Sequence, residues 1–131
     1  MATREAACSC GQLRLDVTGE PLRVAMCHCL ECQKRTGSAF GIQGQFKADQ
    51  VTIAGRYEDW ARVSDDGGTL IFHFCPDCGA TVFNTTGMDT DVWIPVGGFA
   101  DPSFPAPTVS IYESRRHPWV GVPAGIDRHD G

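Results

Sequence analysis

The stretch Thr69-Leu-Ile-Phe-His-Phe-Cys75-Pro-Asp-Cys78-Gly79-Ala80-Thr-Val-Phe83 decides how the rest of the chain is read. Two short runs rich in apolar, β-branched and aromatic residues flank a C-P-D-C-G turn, which is the pattern of a hairpin. Gly79 supplies the positive φ that such a turn needs. A Cys-x-x-Cys pair belongs either to a zinc knuckle or to a dithiol redox centre. Redox pairs of the thioredoxin kind open a helix in a βαβ setting, whereas this pair sits between two strands. The turn is therefore read as a zinc knuckle with Cys75 and Cys78 as ligands.

Five more cysteines lie upstream in two tight clusters, Cys8-Ser-Cys10 and Cys27-His-Cys29-Leu-Glu-Cys32. Seven is an odd total and fits poorly with a closed disulfide framework. The N-terminal run Met-Ala-Thr-Arg-Glu-Ala-Ala has no apolar core of the kind an export signal carries. A reducing, cytoplasmic setting is expected, and there clustered thiols serve metals or redox chemistry. In extended backbone residues i and i+2 share a face. Cys8 and Cys10, like Cys27 and Cys29, can thus present two sulfurs to one ion, while Ser9 and His28 turn away. His28, His73, His117 and His129 are left out of the ligand set.

Structural zinc takes four protein ligands, and catalytic zinc keeps three with one position open. Seven thiolates divide naturally as four and three. Cys27, Cys29 and Cys32 span six residues and can close on one ion locally. Cys8, Cys10, Cys75 and Cys78 then form the four-sulfur site. Spacing alone also allows the N-terminal pair to join the middle cluster, which would strand Cys75 and Cys78.

The remaining sequence reads as short strands. Residues 13–17 alternate apolar and polar, and residues 22–26 form a mostly apolar run leading into Cys27. Further strand candidates are 40–46, 51–53, 92–96 and 108–112; residues 56–66 suit either strand or loop. Three prolines between Asp101 and Pro107 forbid a ladder there. The longest stretch without Gly or Pro is residues 22–36, and the one helical candidate is a turn at 31–35. The expectation is a single all-β domain over residues 5–120, antiparallel and tied by metal, with residues 121–131 fraying.

The chain has 131 residues, 42% of them apolar and 21% charged, values ordinary for one soluble domain. No apolar run approaches the 18 residues of a membrane helix. A net charge of −5 argues against general attraction to nucleic acid.

The clusters Cys8-Ser-Cys10-Gly, Cys27-His-Cys29-Leu-Glu-Cys32-Gln-Lys-Arg-Thr-Gly-Ser38 and Phe74-Cys75-Pro-Asp-Cys78-Gly resemble the glutathione-dependent formaldehyde-activating enzyme family, which includes centromere protein V. Val96-Gly-Gly-Phe-Ala-Asp101-Pro and Trp119 match its later landmarks. The resemblance implies the β-tent fold and two zinc ions per chain. Cys8, Cys10, Cys75 and Cys78 would hold a structural zinc, and Cys27, Cys29 and Cys32 a catalytic one. It also implies a carbon–sulfur lyase or synthase, S-(hydroxymethyl)glutathione synthase-like, acting on a small thiol such as glutathione and an aldehyde such as formaldehyde.

A three-thiolate zinc is a poor generator of hydroxide but keeps an incoming thiol deprotonated and nucleophilic. Lys34, Arg35 and the Thr36-Gly37-Ser38 turn adjoin the last ligand and are candidates for meeting a substrate carboxylate or carbonyl. Arg115, Arg116 and His117 form a second candidate patch. Trp60, Trp93 and Trp119 are read as core or rim aromatics. Two rival readings are a non-catalytic zinc module, with a fourth protein ligand at the second site, and a redox sensor using the Cys27 cluster.

Overall fold

The computed structural model describes residues 2–131. Its strands are β1 (Thr3–Ala7), β2 (Arg14–Thr18), β3 (Arg23–Cys27), β4 (Gly41–Phe46), β5 (Val51–Ala54), β6 (Glu58–Val63), β7 (Thr69–Phe74), β8 (Thr81–Thr86), β9 (Val92–Pro95), β10 (Val109–Ile111) and β11 (Asp127–Arg128). One α-helix, α1 (Leu30–Thr36), follows the middle cysteine cluster. The expected all-β class is what the chain adopts.

The strands form two sheets. A small one runs β1-β2-β5, and a large one runs β11-β10-β3-β4-β9-β8-β7-β6. On β2 the expected alternation is realised, with Leu15 and Val17 buried and Arg14, Asp16 and Thr18 exposed. Its apolar face packs against the large sheet. Leu13, Leu15 and Val17 join Val24, Phe46, Val82, Ile94, Phe99 and Phe104 in one core. The two sheets lean on this shared core like the sides of a tent.

Three features depart from the sequence reading. The pairing is not wholly antiparallel, because β10 runs parallel to both β3 and β11. The proline-rich segment before β10 carries the chain across to enter beside β3 in the same direction, with the Thr108 N–H donating to the Val24 carbonyl. The helix is longer than a single turn, because it is capped at both ends. Cys29 Sγ accepts the Cys32 N–H, and Gly37, at φ 67°, donates to the Gln33 carbonyl.

Within the segment expected to fray, residues 127–129 are tied to the large sheet. Residues 127–128 form β11, the His129 N–H donates to the Ser110 carbonyl, and Arg128 pairs with Glu113. Backbone ladder bonds and an ion pair thus hold a segment whose composition alone reads as loop.

Candidate functional site

The four-cysteine group joins the two sheets. Cys8 and Cys10 follow β1, and Cys75 and Cys78 occupy the knuckle between β7 and β8. The β7–β8 ladder slips register at His73 and Phe74, opening the pair for the turn. Gly79 sits at φ 80°, and its N–H closes the turn on the Cys75 carbonyl. The four sulfurs lie within 4.8 Å of one another. Cys8 and Cys10 Sγ are 3.6 Å apart, and Cys10 and Cys75 Sγ are 3.7 Å apart. A tetrahedral ion with Zn–S bonds of about 2.3 Å would set these edges at about 3.8 Å. The donor set therefore fits zinc in both chemistry and spacing.

Amide groups already point at these sulfurs. Gln12 Nε2 donates to Cys75 Sγ at 3.0 Å, the Asp77 N–H donates to the same atom, and the Leu13 N–H donates to Cys8 Sγ. Burial pushes the Cys75 thiol up, but the hydrogen bonds from Gln12 and the backbone outweigh it and bring the pKa down to about 6. Cys10 receives a backbone bond that pulls it down. Burial and the neighbouring thiols prevail and raise it to about 11.

The second group is built by one chain segment. Cys27 ends β3, Cys29 caps α1, and the first helical turn brings Cys32 round to the same point. Their sulfurs again lie within 4.8 Å of one another, and no histidine or carboxylate joins them among the described residues. Within this trio Cys29 ionises first: hydrogen bonds from the Cys27 and Cys32 thiols hold it down to about 2. Cys27 is pushed far up by that same sharing with Cys29 and Cys32. The trio thus supplies three sulfurs but, without a cation, resists giving up all three protons.

These sulfurs form part of the wall of a cleft of about 660 Å³. Arg23, Arg35, Arg62 and Arg115 also line it, and none is ion-paired among the described residues. Arg35 Nη2 lies 4.0 Å from Cys32 Sγ, and its Nε is buried without a partner. Gly41 leaves space for it, since a Cβ there would stand 3.0 Å from Nη2. The amides of Gln43 and Asn84, bonded to each other at 2.5 Å, and Tyr112 also line it, as do the acidic residues Glu31, Asp65, Asp66, Asp89 and Asp130. Tyr112 is held at φ 55°, a conformation uncommon for a bulky residue. Burial and the nearby Asp65 raise the pKa of its phenol, so it keeps its proton at neutral pH.

The other sequence candidates separate. Lys34 faces solvent in a pair with Glu31, and Thr36 and Gly37 serve the helix C-terminus. Arg115 lines the cleft, whereas Arg116 turns to Glu113 and the Val120 carbonyl. Trp93 lines the cleft, Trp60 stacks on Phe72, and Trp119 is 75% exposed. His73 bridges Asp59 and Thr85, and His117 bonds Gln33. Sequence reading did not single out Arg23, Arg62, Gln43, Asn84 and Tyr112. They come from four strands and a loop, with no common spacing to announce them.

Comparison with known proteins identifies the lineage of this arrangement. The family model described as glutathione-dependent formaldehyde-activating enzyme matches residues 3–115. The chain belongs to that family. A Penicillium rubens protein named "Putative glutathione-dependent formaldehyde-activating enzyme" is 28% identical over 122 residues. The match covers 85% of this chain but only 63% of that relative's length. A crystal structure of a Rhodobacter sphaeroides protein has the same fold, with a TM-score of 0.56 at 15% identity, over 95% of this chain and 98% of the other. Among the described residues no helix is long and apolar enough to cross a membrane.

Proposed function

We propose that the chain joins a small carboxylate-bearing thiol of the glutathione kind to an aldehyde such as formaldehyde, or releases the two from their adduct. Cys8, Cys10, Cys75 and Cys78 would hold a structural zinc, and Cys27, Cys29 and Cys32 a second zinc beside the cleft. The observation that carries this reading is the trio of sulfurs on the wall of a cleft, with the unpaired Arg35 and Arg62 beside them. Cys27, Cys29 and Cys32 would hold that second zinc, whose chemistry when bound would be to keep an incoming thiol in its ionised, nucleophilic form.

The protein's own groups then do the rest. Arg35 and Arg62, beside the trio, bind substrate carboxylates and keep the thiol pointed at the cysteines. Phe72, against which both arginines lie, supplies an apolar wall. In the forward direction the sulfur donates its electron pair to the carbonyl carbon, forming the carbon–sulfur bond. The carbonyl π pair moves to oxygen, which takes up a proton, so the sum is an addition with no change of oxidation state. The Tyr112 hydroxyl, on the cleft lining, gives that proton and regains the one the thiol released, and the Gln43–Asn84 amide pair steadies the oxygen. Holding both reactants in one cleft contributes up to roughly 7–11 kcal/mol in ideal cases. A reducing compartment such as the cytoplasm belongs to the same reading, because all seven cysteines must stay reduced to serve as metal ligands.

The test is a glutathione titration of the cobalt-substituted protein. The sulfur-to-cobalt charge-transfer bands should change as the thiol binds, and the same protein should accelerate exchange between formaldehyde and its glutathione adduct. Unchanged bands at saturating glutathione would leave a structural zinc module instead.

A further inference from the structure

His28 stands between two of the three clustered cysteines, and its side chain points the other way. It is 0% exposed. Its Nε2 lies 2.9 Å from Ser110 Oγ, and the Ser110 hydroxyl in turn bonds Glu113 Oε2. The Glu113 carboxylate can only accept, so the serine proton goes to it, and His28 must be the donor to Ser110. This fixes the Nε2–H tautomer and leaves Nδ1 as a buried lone pair with no partner. Glu113 Oε1 is gripped from the far side by Arg128, through Nε at 3.1 Å and Nη2 at 2.7 Å.

The backbone of His28 is tied as firmly as its ring. Its N–H donates to the Ile111 carbonyl on β10, and its carbonyl accepts from Gln33 Nε2. Each polar handle but one on this residue is therefore occupied by a neighbour that belongs to β10 or α1. Arg128 itself lies in β11, beyond residues 3–115 matched by the family model. The same segment brings Asp130 to the cleft rim beside Ser114, whose hydroxyl donates to the Asp130 carbonyl.

We propose that the C-terminal strand positions the three-cysteine turn through the side-chain chain Arg128–Glu113–Ser110–His28. The chain fixes the peptide between Cys27 and Cys29, and so the angle at which those two sulfurs meet Cys32. Arg128, Glu113, Ser110 and His28 are positioning residues and touch no reacting atom. The inference rests on the reading of the trio as a metal centre. Partners in the shell behind metal ligands are worth roughly 10- to 100-fold in metal affinity.

Cobalt(II) titration of the full chain tests it, read by sulfur-to-metal absorption. The three-cysteine contribution is the part lost in Cys29→Ser. Ser110→Ala and Arg128→Ala should each weaken that contribution by at least about tenfold, with the four-cysteine contribution held within about threefold. Arg128 is on the surface, so its variant folds even where loss of the Ser110 hydroxyl disturbs packing. Arg4→Ala removes a part-buried ion pair from β1 to Glu20, away from the trio, and should alter neither site. Unchanged affinity at the trio in both variants overturns the proposal, and equal weakening of both sites does so too, since that is loss of general stability. A wild-type protein that takes up one ion only removes the trio reading and this inference together. Two ions without any response to glutathione would remove the proposed reaction and leave the positioning role to be judged on affinity.

Discussion

The guanidinium of Arg35 lies 5.3 Å from the centre of the Phe72 ring, with Nη2 directed at Cys32. Stacking on an aromatic face presents a planar fork to the cleft while costing little further side-chain freedom on binding. Arg35→Met should raise KM for glutathione by about 10- to 100-fold, the range for a lost hydrogen bond to a charged group. Both metal ions should be retained. Arg35→Lys should restore only part of the loss, because an ammonium cannot form the bidentate contact. Steady-state kinetics with metal analysis would check this, and an unchanged KM would remove Arg35 from substrate binding.

The two cysteine groups should respond differently to the loss of one ligand. Cys29→Ser should abolish thiol–aldehyde activity in a folded protein that holds one ion. Cys78→Ser breaks the tie between the sheets. Structural zinc contributes on the order of 10 kcal/mol to small domains, so this variant should unfold or melt far below the parent. Circular dichroism melts and metal content of the two variants give the comparison. Equal loss of folding would erase the distinction between a catalytic and a structural site.

Gly55 is required for the four-cysteine site although it is no ligand. It sits at φ 105°, and a Cβ there would collide with the Gln12 carbonyl oxygen. Gln12 is clamped to Arg56 by two bonds, Nε2 to the Arg56 carbonyl and the Arg56 N–H to Oε1, and it also donates to Cys75. Gly55→Ala should therefore destabilise the fold by about 2–4 kcal/mol, combining backbone strain with the loss of the part-buried Gln12–Cys75 hydrogen bond. Chemical denaturation with the metal present would measure it. A change below about 0.5 kcal/mol would show that the Gln12 loop yields freely.

Acid should loosen the C-terminal strand first. Hydrogen bonds from Arg128 and Ser110 hold the Glu113 carboxyl down to about 2, below its ordinary 4.5. A depressed folded-state pKa means that the stabilisation is whole above about pH 4.5 and is lost as the pH falls toward 2. Glu113→Gln should flatten this part of the acid transition and cost about 2 kcal/mol at neutral pH. Amide exchange of β11 against pH is the direct readout. An exchange profile identical in parent and variant would mean that another group controls the segment.

Much of the fold was legible in local sequence. The alternation at residues 13–17, the hairpin around Cys75 and Cys78, and the strand leading into Cys27 all appear where their patterns place them, because a half-buried strand and a tight turn each impose a short-range rule. β1 was not read, since Thr-Arg-Glu-Ala-Ala has little strand character and gains its place by pairing along β2. β11 escaped for the same reason. Its two residues owe their conformation to β10 and to Glu113, neither of which leaves a mark on residues 127–128.

By itself the sequence determined the all-β class and the three cysteine clusters. Ligand spacing within a turn is a local property, and seven thiols in three tight clusters admit few arrangements. Only the tertiary structure decided which clusters meet, that β10 runs parallel to β3, and which side chains face the trio. Arg23, Arg62, Asn84 and Tyr112 lie far apart along the chain and converge because one sheet carries β3, β6 and β8 and Tyr112 directly follows its strand β10. That adjacency is set by long-range pairing and a shared core, and no window of sequence contains it.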